Sequence, residues 1–188
     1  MARTVSYPVS CLTPRRGQQR RGFVNEDHPA VQRGERSFGV SMSPWSSAYA
    51  AVLALNVLWF GMASWYFTVK SDAATKLLVP KSARDSPLFA TLSASVRFLG
   101  AMNFAFMALA VLLLLNLSMF PEPRQRALLA CVFAIAHAGQ FLGNVPIARA
   151  GGRRGDSLWP VLSGPMFFIF VVDLTLALAN AVVSAGLF

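Results

Sequence analysis

The chain has 188 residues, of which 55% are hydrophobic and only 13% are charged, and its mean hydropathy is +0.50. A soluble globular domain has about 25% charged residues, so this composition argues against a soluble fold and points to lipid. The net charge of +9 does not indicate nucleic-acid binding, because no basic patch interleaved with aromatic residues falls in a segment that could fold in water. The basic residues instead suit anionic lipid headgroups and the control of membrane topology.

Residues 1–44 are predicted to form a disordered basic tail, because Arg, Gln, Gly, Ser and Pro dominate and no apolar period persists. The first 25 residues contain five Arg and no acid, a composition that resembles an organelle transit peptide. The alternatives are an unstructured tail and an over-extended start, since Met42 immediately precedes the first apolar stretch. A typical secretory signal peptide is not expected, since no apolar core follows the first basic residues.

Four apolar stretches occur in the remaining segment, residues 45–188, at about 46–69, 96–118, 127–147 and 160–187. Each is long enough to cross a hydrocarbon core of about 30 Å at about 1.5 Å per residue. An unsatisfied backbone group in lipid is costly, so each stretch should be a helix. The sequence therefore predicts an all-α fold, a four-transmembrane-helix bundle with a disordered basic N-terminal tail.

The connections between the stretches predict the topology. Residues 70–88 form a polar loop with four basic residues, residues 121–126 form a short hairpin turn, and residues 149–159 carry three Arg. The first and third connections lie on the same side of the membrane and carry seven basic residues, against four near the membrane on the other side. This difference favours placing the first and third connections in the cytoplasm or its equivalent. Counting the whole tail reverses this difference. Ser86 before Pro87 is a typical helix start, so the second helix should begin near residue 87.

Polar side chains within the four stretches are the strongest functional signal, because polar and ionisable residues in lipid are costly and mark functional sites. Such residues occur in all four stretches: Asn56, Arg97, Asn103, His137, Gln140, Asn144, Asp173 and Asn180. At about 1.5 Å per residue, several of them descend as a ladder between the second, third and fourth helices. We therefore predict an intramembrane polar cluster, with a role in binding: Arg97, Asn103, His137, Gln140, Asn144 and Asp173.

The spacing within the predicted cluster supports a shared face. His137, Gln140 and Asn144 stand at i, i+3 and i+7 on one face of the third helix. A lone carboxylate in lipid would be strongly penalised or protonated, so Asp173 needs a partner, for which His137 and Arg97 are the candidates. The alternative is that these side chains only hold the helices together, at about 0.6 kcal/mol per contact.

Small residues predict close approach between helices. Gly139 and Gly143 form a Gly-x-x-x-Gly pair in the third helix, and Ala177 and Ala181 are also four residues apart in the fourth. Residues of this size let helix backbones pack closely. We expect this packing within the chain more than between two copies, because four helices offer internal partners first.

No motif indicates catalysis. The sequence has no metalloprotease HExxH, no Cys/His metal set, no nucleophile elbow and no phosphate-binding loop. Cys11 and Cys131 form neither a metal-like pair nor a disulfide framework. We therefore predict no catalytic residue, no metal and no cofactor. One His and one Asp could shuttle a proton, but nothing in the sequence selects that chemistry.

Two motifs carry a resemblance over about residues 46–187. The second stretch opens with Arg97-Phe-Leu-Gly100, and the third contains the sequence around His137. This order of elements resembles the Erg28-like family of small four-helix membrane proteins, although Gln140 and Asn144 replace the acidic residue expected after the His. The chain is similar to DoxX-like four-helix proteins to about the same degree. The first resemblance implies a non-catalytic scaffold that gathers membrane enzymes, and the second implies redox or quinone-linked accessory work.

The favoured interpretation is a multi-pass integral membrane protein that acts as a scaffold or accessory subunit, more an interaction protein than an enzyme. Its expected partners are the lipid bilayer and other membrane proteins, and the membrane would be that of an organelle if the tail is a transit peptide. The alternative is a binder or carrier of a small lipophilic molecule. A scaffold should have a tightly packed interior, whereas a binder should have a cavity that reaches His137 or Asp173.

Overall fold

The computed structural model describes residues 43–154, 157–158 and 161–188. The predicted tail, residues 1–44, lies outside the described residues except for its last two positions. The described part contains the helices α1 (Pro44–Thr68), α2 (Ser71–Leu78), α3 (Leu88–Leu115), α4 (Pro123–Arg149) and α5 (Gly164–Leu187). It also contains short 3-10 turns at Lys81–Ala83 and Leu117–Met119, and a two-stranded antiparallel ribbon of β1 (Arg153–Arg154) and β2 (Ser157–Leu158).

Four of these helices are long and apolar enough to cross a membrane. Helices α1, α3, α4 and α5 have 24 to 28 residues, and their most apolar windows have mean hydropathies between 1.5 and 2.4. Only 22–33% of each window is buried within the protein, so most of the side chains face outward. An apolar outer surface of this extent suits lipid and not water. The chain is a multi-pass membrane protein, and the predicted all-α fold with four transmembrane helices is confirmed.

The helices begin where local chemistry favours a start. The Ser43 hydroxyl accepts the Ser46 backbone N–H at 3.2 Å, and Pro44 occupies the first turn of α1. The Ser86 hydroxyl accepts the Leu88 N–H at 3.3 Å, so α3 begins close to the residue that the sequence indicates. Pro165 lies in the first turn of α5, where its missing N–H removes no helical hydrogen bond. Helix α5 begins at Gly164, four residues after the start of the predicted stretch.

Helix α2 was not predicted, because residues 70–88 read as a polar loop. Asp72 lies in its first turn and Lys76 in its last, an order that complements the helix dipole. The Arg84 guanidinium donates to the Lys76 carbonyl at 2.6 Å and to the Val79 carbonyl at 3.1 Å, which satisfies backbone groups at its C-terminal end. The Ser93 hydroxyl donates to the Asp72 carboxylate and attaches α2 to α3.

One end of the bundle, which we call the packed end, is closely filled. Helix α1 packs mainly on α3 and α4 mainly on α5, and α1 also contacts α5. The Arg126 guanidinium closes this end by donating to the Phe120 and Leu117 carbonyls and to the Ser46 hydroxyl, at 2.7 to 3.2 Å. The buried core of the packed end consists of Tyr49, Val52, Leu53, Phe60, Ala110, Leu113, Ala127, Ala130, Phe133, Val183 and Leu187.

The opposite end, which carries α2 and the ribbon, is the open end. Every residue of α4 from 138 to 149 is described, and none of them is buried. Helices α1 and α3 nevertheless stay in close contact here: a Cβ at Gly100 would lie 2.5 Å from the Thr68 Cγ2 atom and 2.9 Å from its backbone nitrogen. The loose packing of the open end therefore belongs to α4 and not to the pair α1–α3.

Candidate functional site

A hydrogen-bonded chain of buried side chains lies where α1, α4 and α5 meet. His137 is fully buried, with its Nδ1 atom 3.0 Å from Asp173 Oδ1 and its Nε2 atom 2.9 Å from Asn56 Oδ1. Trp59 Nε1 donates to the same Asp173 oxygen at 3.1 Å. The His137 ring also stacks on Phe60, with ring centroids 4.6 Å apart. These contacts hold the imidazole in one orientation.

The chain continues toward the packed end through two amides. Asn56 Nδ2 donates to Asn180 Oδ1 at 3.0 Å, and Asn180 Nδ2 donates to the Leu176 backbone carbonyl at 2.8 Å. Burying polar groups costs free energy unless they are hydrogen-bonded, and each of these side chains has at least one partner. We call this set the polar network: Asn56, Trp59, His137, Asp173 and Asn180.

The polar network ends at a cavity of about 510 Å³ in the open end. Ligand sites usually have volumes of about 300–1,000 Å³, so this one can hold a small organic molecule. Asp173 and Trp59 belong both to the network and to the cavity wall. The cavity opens on the outside of the bundle and is lined by Trp59, Met62, Ala63, Trp65, Tyr66, Phe67, Leu77, Leu99, Gln140, Asn144, Pro165, Met166, Phe168, Ile169 and Asp173.

The structure brings four of the six predicted cluster residues together. His137 contacts Asp173, and Gln140 and Asn144 lie on the same cavity wall as Asp173. Asn144 Nδ2 donates to the Gln140 backbone carbonyl at 2.8 Å, and both residues line the cavity. Of the two partners expected for Asp173, the structure places His137 beside it.

The other two predicted residues lie elsewhere. Arg97 is exposed, and its Nε atom donates to the Ser71 hydroxyl of α2 at 3.3 Å. Asn103 is buried, but its amide donates to the Leu99 carbonyl of its own helix at 2.7 Å. Both residues are on α3, which packs mainly on α1, so the predicted ladder does not extend to α3.

The network contains three residues that the predicted cluster omits. Asn56 and Asn180 were recognised as intramembrane polar residues but left out of the cluster, and Trp59 was not considered. The available signals were spacing and depth: Asn180 follows Asp173 by seven residues, and Trp59 follows Asn56 by three. Trp59 also lies in the middle of α1, away from the interfaces where membrane tryptophans concentrate.

No known protein family, curated protein or solved structure matches this chain. The resemblance to the Erg28-like and DoxX-like families therefore stays a prediction.

The small residues predicted to pack helices behave unequally. Ala177 is buried, whereas Ala181 is exposed. Gly139 and Gly143 are exposed, and a Cβ at either would meet no described atom within 4 Å. The expected close approach to another helix of this chain therefore does not occur at these glycines. It occurs instead at Gly100 against Thr68, and at Gly186, where a Cβ would lie 2.5 Å from the Trp45 ring.

Other places in the described part of the chain offer less chemistry. Two depressions of about 280 and 400 Å³ lie at the connection between α2 and α3, and neither includes a residue of the polar network. The described residues contain no group of three or more His, Cys, Asp or Glu that could hold a metal ion. Cys131 is a partly buried free thiol on α4.

Proposed function

We propose that this protein binds a small lipophilic molecule in the cavity between α1, α4 and α5. The observation that supports this proposal is that the cavity reaches Asp173, a residue that is 1% exposed and belongs to the buried polar network. Such a cavity is expected of a binder and not of a tightly packed scaffold, and it therefore supports the proposal.

The lining suits an amphipathic ligand with one polar end. Aromatic and aliphatic side chains make up most of the wall, and its polar side chains include Gln140, Asn144 and Asp173, from α4 and α5. Mostly apolar walls with a few placed polar groups are typical of small-molecule sites. The apolar part of a ligand would lie against Trp65, Phe168 and their neighbours, with its polar end toward α4 and α5.

The surrounding lipid decides which contacts carry affinity. Acyl chains are as apolar as the cavity walls, so moving a ligand from lipid into the cavity gains little from the hydrophobic effect. Shape, aromatic contact and hydrogen bonds to the polar groups must therefore discriminate the ligand from bulk lipid. Asp173 is central to this proposal because its hydrogen bond is one that lipid tails cannot offer.

The scaffold interpretation has no comparable observation in its favour. The exposed apolar side chains of the four long helices are what any lipid-facing surface presents, and they do not indicate a protein partner. A scaffold or accessory role, and the two family resemblances that imply it, stay predictions.

Photolabelling in lipid nanodiscs tests the proposal. A trifluoromethyl phenyl diazirine, which is small, apolar and photoreactive, should label Met62 and Met166 in a way that an excess of unlabelled probe suppresses. The variant Ala63→Trp places an indole in the cavity and should remove this saturable labelling. The matched control Ala51→Trp adds the same side chain to an exposed position of α1 and should leave the labelling unchanged. Equal labelling in both variants, with thermal stability retained, would contradict a binding cavity.

A further inference from the structure

The hydrogen-bond directions within the polar network determine which polar atom Asp173 presents to the cavity. The ligand class inferred from them rests on the proposed binding function. One group in the network can have only one hydrogen-bonding role. The Leu176 backbone carbonyl can only accept hydrogen bonds, so the Asn180 atom 2.8 Å away must be the amide nitrogen. The Asn180 oxygen then points at Asn56, where it accepts from Nδ2 at 3.0 Å.

The orientation of the Asn180 amide also determines the direction of the hydrogen bond at His137. Because Asn56 Nδ2 faces Asn180, Asn56 Oδ1 faces His137 Nε2 at 2.9 Å. An amide oxygen accepts, so Nε2 must carry a hydrogen. A flipped Asn56 would place its oxygen against Asn180 Oδ1, and a flipped Asn180 would place its oxygen against the Leu176 carbonyl. Each of these arrangements brings two acceptors together without a hydrogen.

A hydrogen on Nε2 leaves two protonation states for the His137–Asp173 pair. Either His137 is an imidazolium beside an Asp173 carboxylate, or a neutral imidazole accepts a proton from the Asp173 carboxylic acid. In both states one proton lies between Nδ1 and Oδ1, which are 3.0 Å apart, and the pair has a net charge of zero. An ionised carboxylate facing the Nδ1 lone pair would be repulsive, so a net charge of −1 does not fit this network.

The second oxygen of Asp173 is the one available to a ligand. Both hydrogen bonds to Asp173 are made to Oδ1, and Oδ2 has no partner among the described residues. Oδ2 is not sealed in the core, because in the described part of the chain Tyr49 Oη is the only fully buried polar side-chain atom without a partner. Asp173 lines the cavity, and in both protonation states Oδ2 is purely an acceptor.

We infer that the cavity selects neutral lipophilic molecules with a hydrogen-bond donor, and lipophilic alcohols above all, with the ligand hydroxyl donating to Asp173 Oδ2. The Gln140 side chain lies on the same wall and can donate to the hydroxyl oxygen. An ether of the same skeleton leaves Oδ2 unpaired. An amine cation loses its hydration on entering the cavity, and the neutral His137–Asp173 pair has no net negative charge to attract it. The attraction between a cation and the aromatic walls, about 0.5–2 kcal/mol, does not offset that loss.

Three probes with one skeleton test the inference: farnesol, farnesyl methyl ether and farnesylamine, which is a cation at neutral pH. Each competes against the apolar diazirine for Met62 and Met166 in nanodiscs of a neutral phospholipid. Farnesol should compete at a concentration roughly tenfold lower than the ether, a ratio that corresponds to about one hydrogen bond. The amine should compete no better than the ether.

The variant Asp173→Asn provides an independent readout. The Trp59 Nε1–H group can only donate, so the Asn oxygen should take the Oδ1 position beside it and the amide nitrogen should face the cavity. An amide N–H group at this place can donate to the oxygen of an ether as well as to that of an alcohol. The ratio of the competing concentrations of the ether and farnesol should therefore fall from roughly tenfold to about one. The control Thr175→Ala, on the exposed face of α5, should keep the wild-type ratio.

The outcomes separate the two proposals. Saturable labelling with equal competition by all three probes would leave a binding cavity and overturn the selection of alcohols. Tighter competition by the amine would show a negatively charged pair and overturn it too. Labelling that no excess of probe suppresses would contradict the binding function itself. If Asp173→Asn does not fold, the wild-type ratio of alcohol to ether decides the inference alone.

Discussion

The packed end and the open end of this bundle are built from the same four helices but are filled differently. At the packed end, alanines at positions 127 and 130 of α4 are completely buried and aromatic rings interlock across three helices, with Phe60, Phe106 and Phe133 centroids 5.1 to 6.2 Å apart. At the open end, α4 has no fully buried residue beyond His137, and a cavity lies beside it. At one end side chains fill the space between the helices, and at the other a cavity remains beside them.

The polar network occupies the boundary between these two ends. Its amides, Asn56 and Asn180, are fully buried, while Trp59 and Asp173 form part of the cavity wall. Close packing behind the network fixes the orientation of each donor and acceptor, and the space in front leaves one acceptor oxygen accessible. A group that is to bind a ligand needs a filled side, which determines its geometry, and an open side, which exposes it.

The largest expected effect comes from the same substitution at the two ends. Phe133→Ala, at a position with no exposure, should lower the free energy of unfolding by about 4 kcal/mol, because it leaves a void among tightly packed rings. Phe168→Ala, at a cavity position that is 59% exposed, should cost about 1 kcal/mol, the value of its edge contact with Trp59. Unfolding in detergent by denaturant titration measures both. Similar losses would mean that the open end is packed as firmly as the packed end.

The sequence predicts the number and type of helices well, because an apolar run of membrane-spanning length is a local signal that survives any tertiary arrangement. It misses α2, since eight residues carry too few periods for a pattern and its stability depends on contacts such as Ser93 with Asp72. Local composition therefore predicts the membrane-spanning fold, and long-range contacts decide the smaller elements.

The candidate site is predicted less completely than the fold, for a geometric reason. The depth of a residue follows from its position along the helix, but the direction in which its helix face points does not. Asn103 and Gln140 were both assigned to the predicted ladder. Asn103, however, lies on α3, which packs mainly on α1, whereas Gln140 lines the cavity beside α5. Asn56 was omitted from the predicted cluster, although its own side-chain amide is the group that His137 Nε2 contacts.

The next largest effect tests how much the His137–Asp173 pair, at the boundary between the two ends, contributes to the free energy of unfolding. His137→Leu should cost about 3 kcal/mol of unfolding free energy, because it leaves the Asp173 carboxyl buried without its main partner. The double variant His137→Leu with Asp173→Leu should be more stable than His137→Leu alone, since the uncompensated carboxyl is gone. Thr175→Leu, an exposed polar position on the same helix as Asp173, is the control and should change little. A double variant less stable than the single one would show that Asp173 does not depend on His137.

The smallest effect compares one substitution, glycine to alanine, on two helices of the open end. Gly100→Ala should destabilise the protein by about 2 kcal/mol, because its Cβ would lie 2.5 Å from Thr68 Cγ2 and 2.9 Å from backbone, which cannot move aside. Gly139→Ala should leave stability unchanged or raise it by up to about 1 kcal/mol, because a Cβ there meets no described atom and alanine favours the helix. Thermal unfolding in nanodiscs measures the sign of each change. Stability changes of opposite sign would show that the loose packing is confined to α4. A loss of stability in Gly139→Ala would instead reveal a neighbour on that face, such as a second copy of the chain.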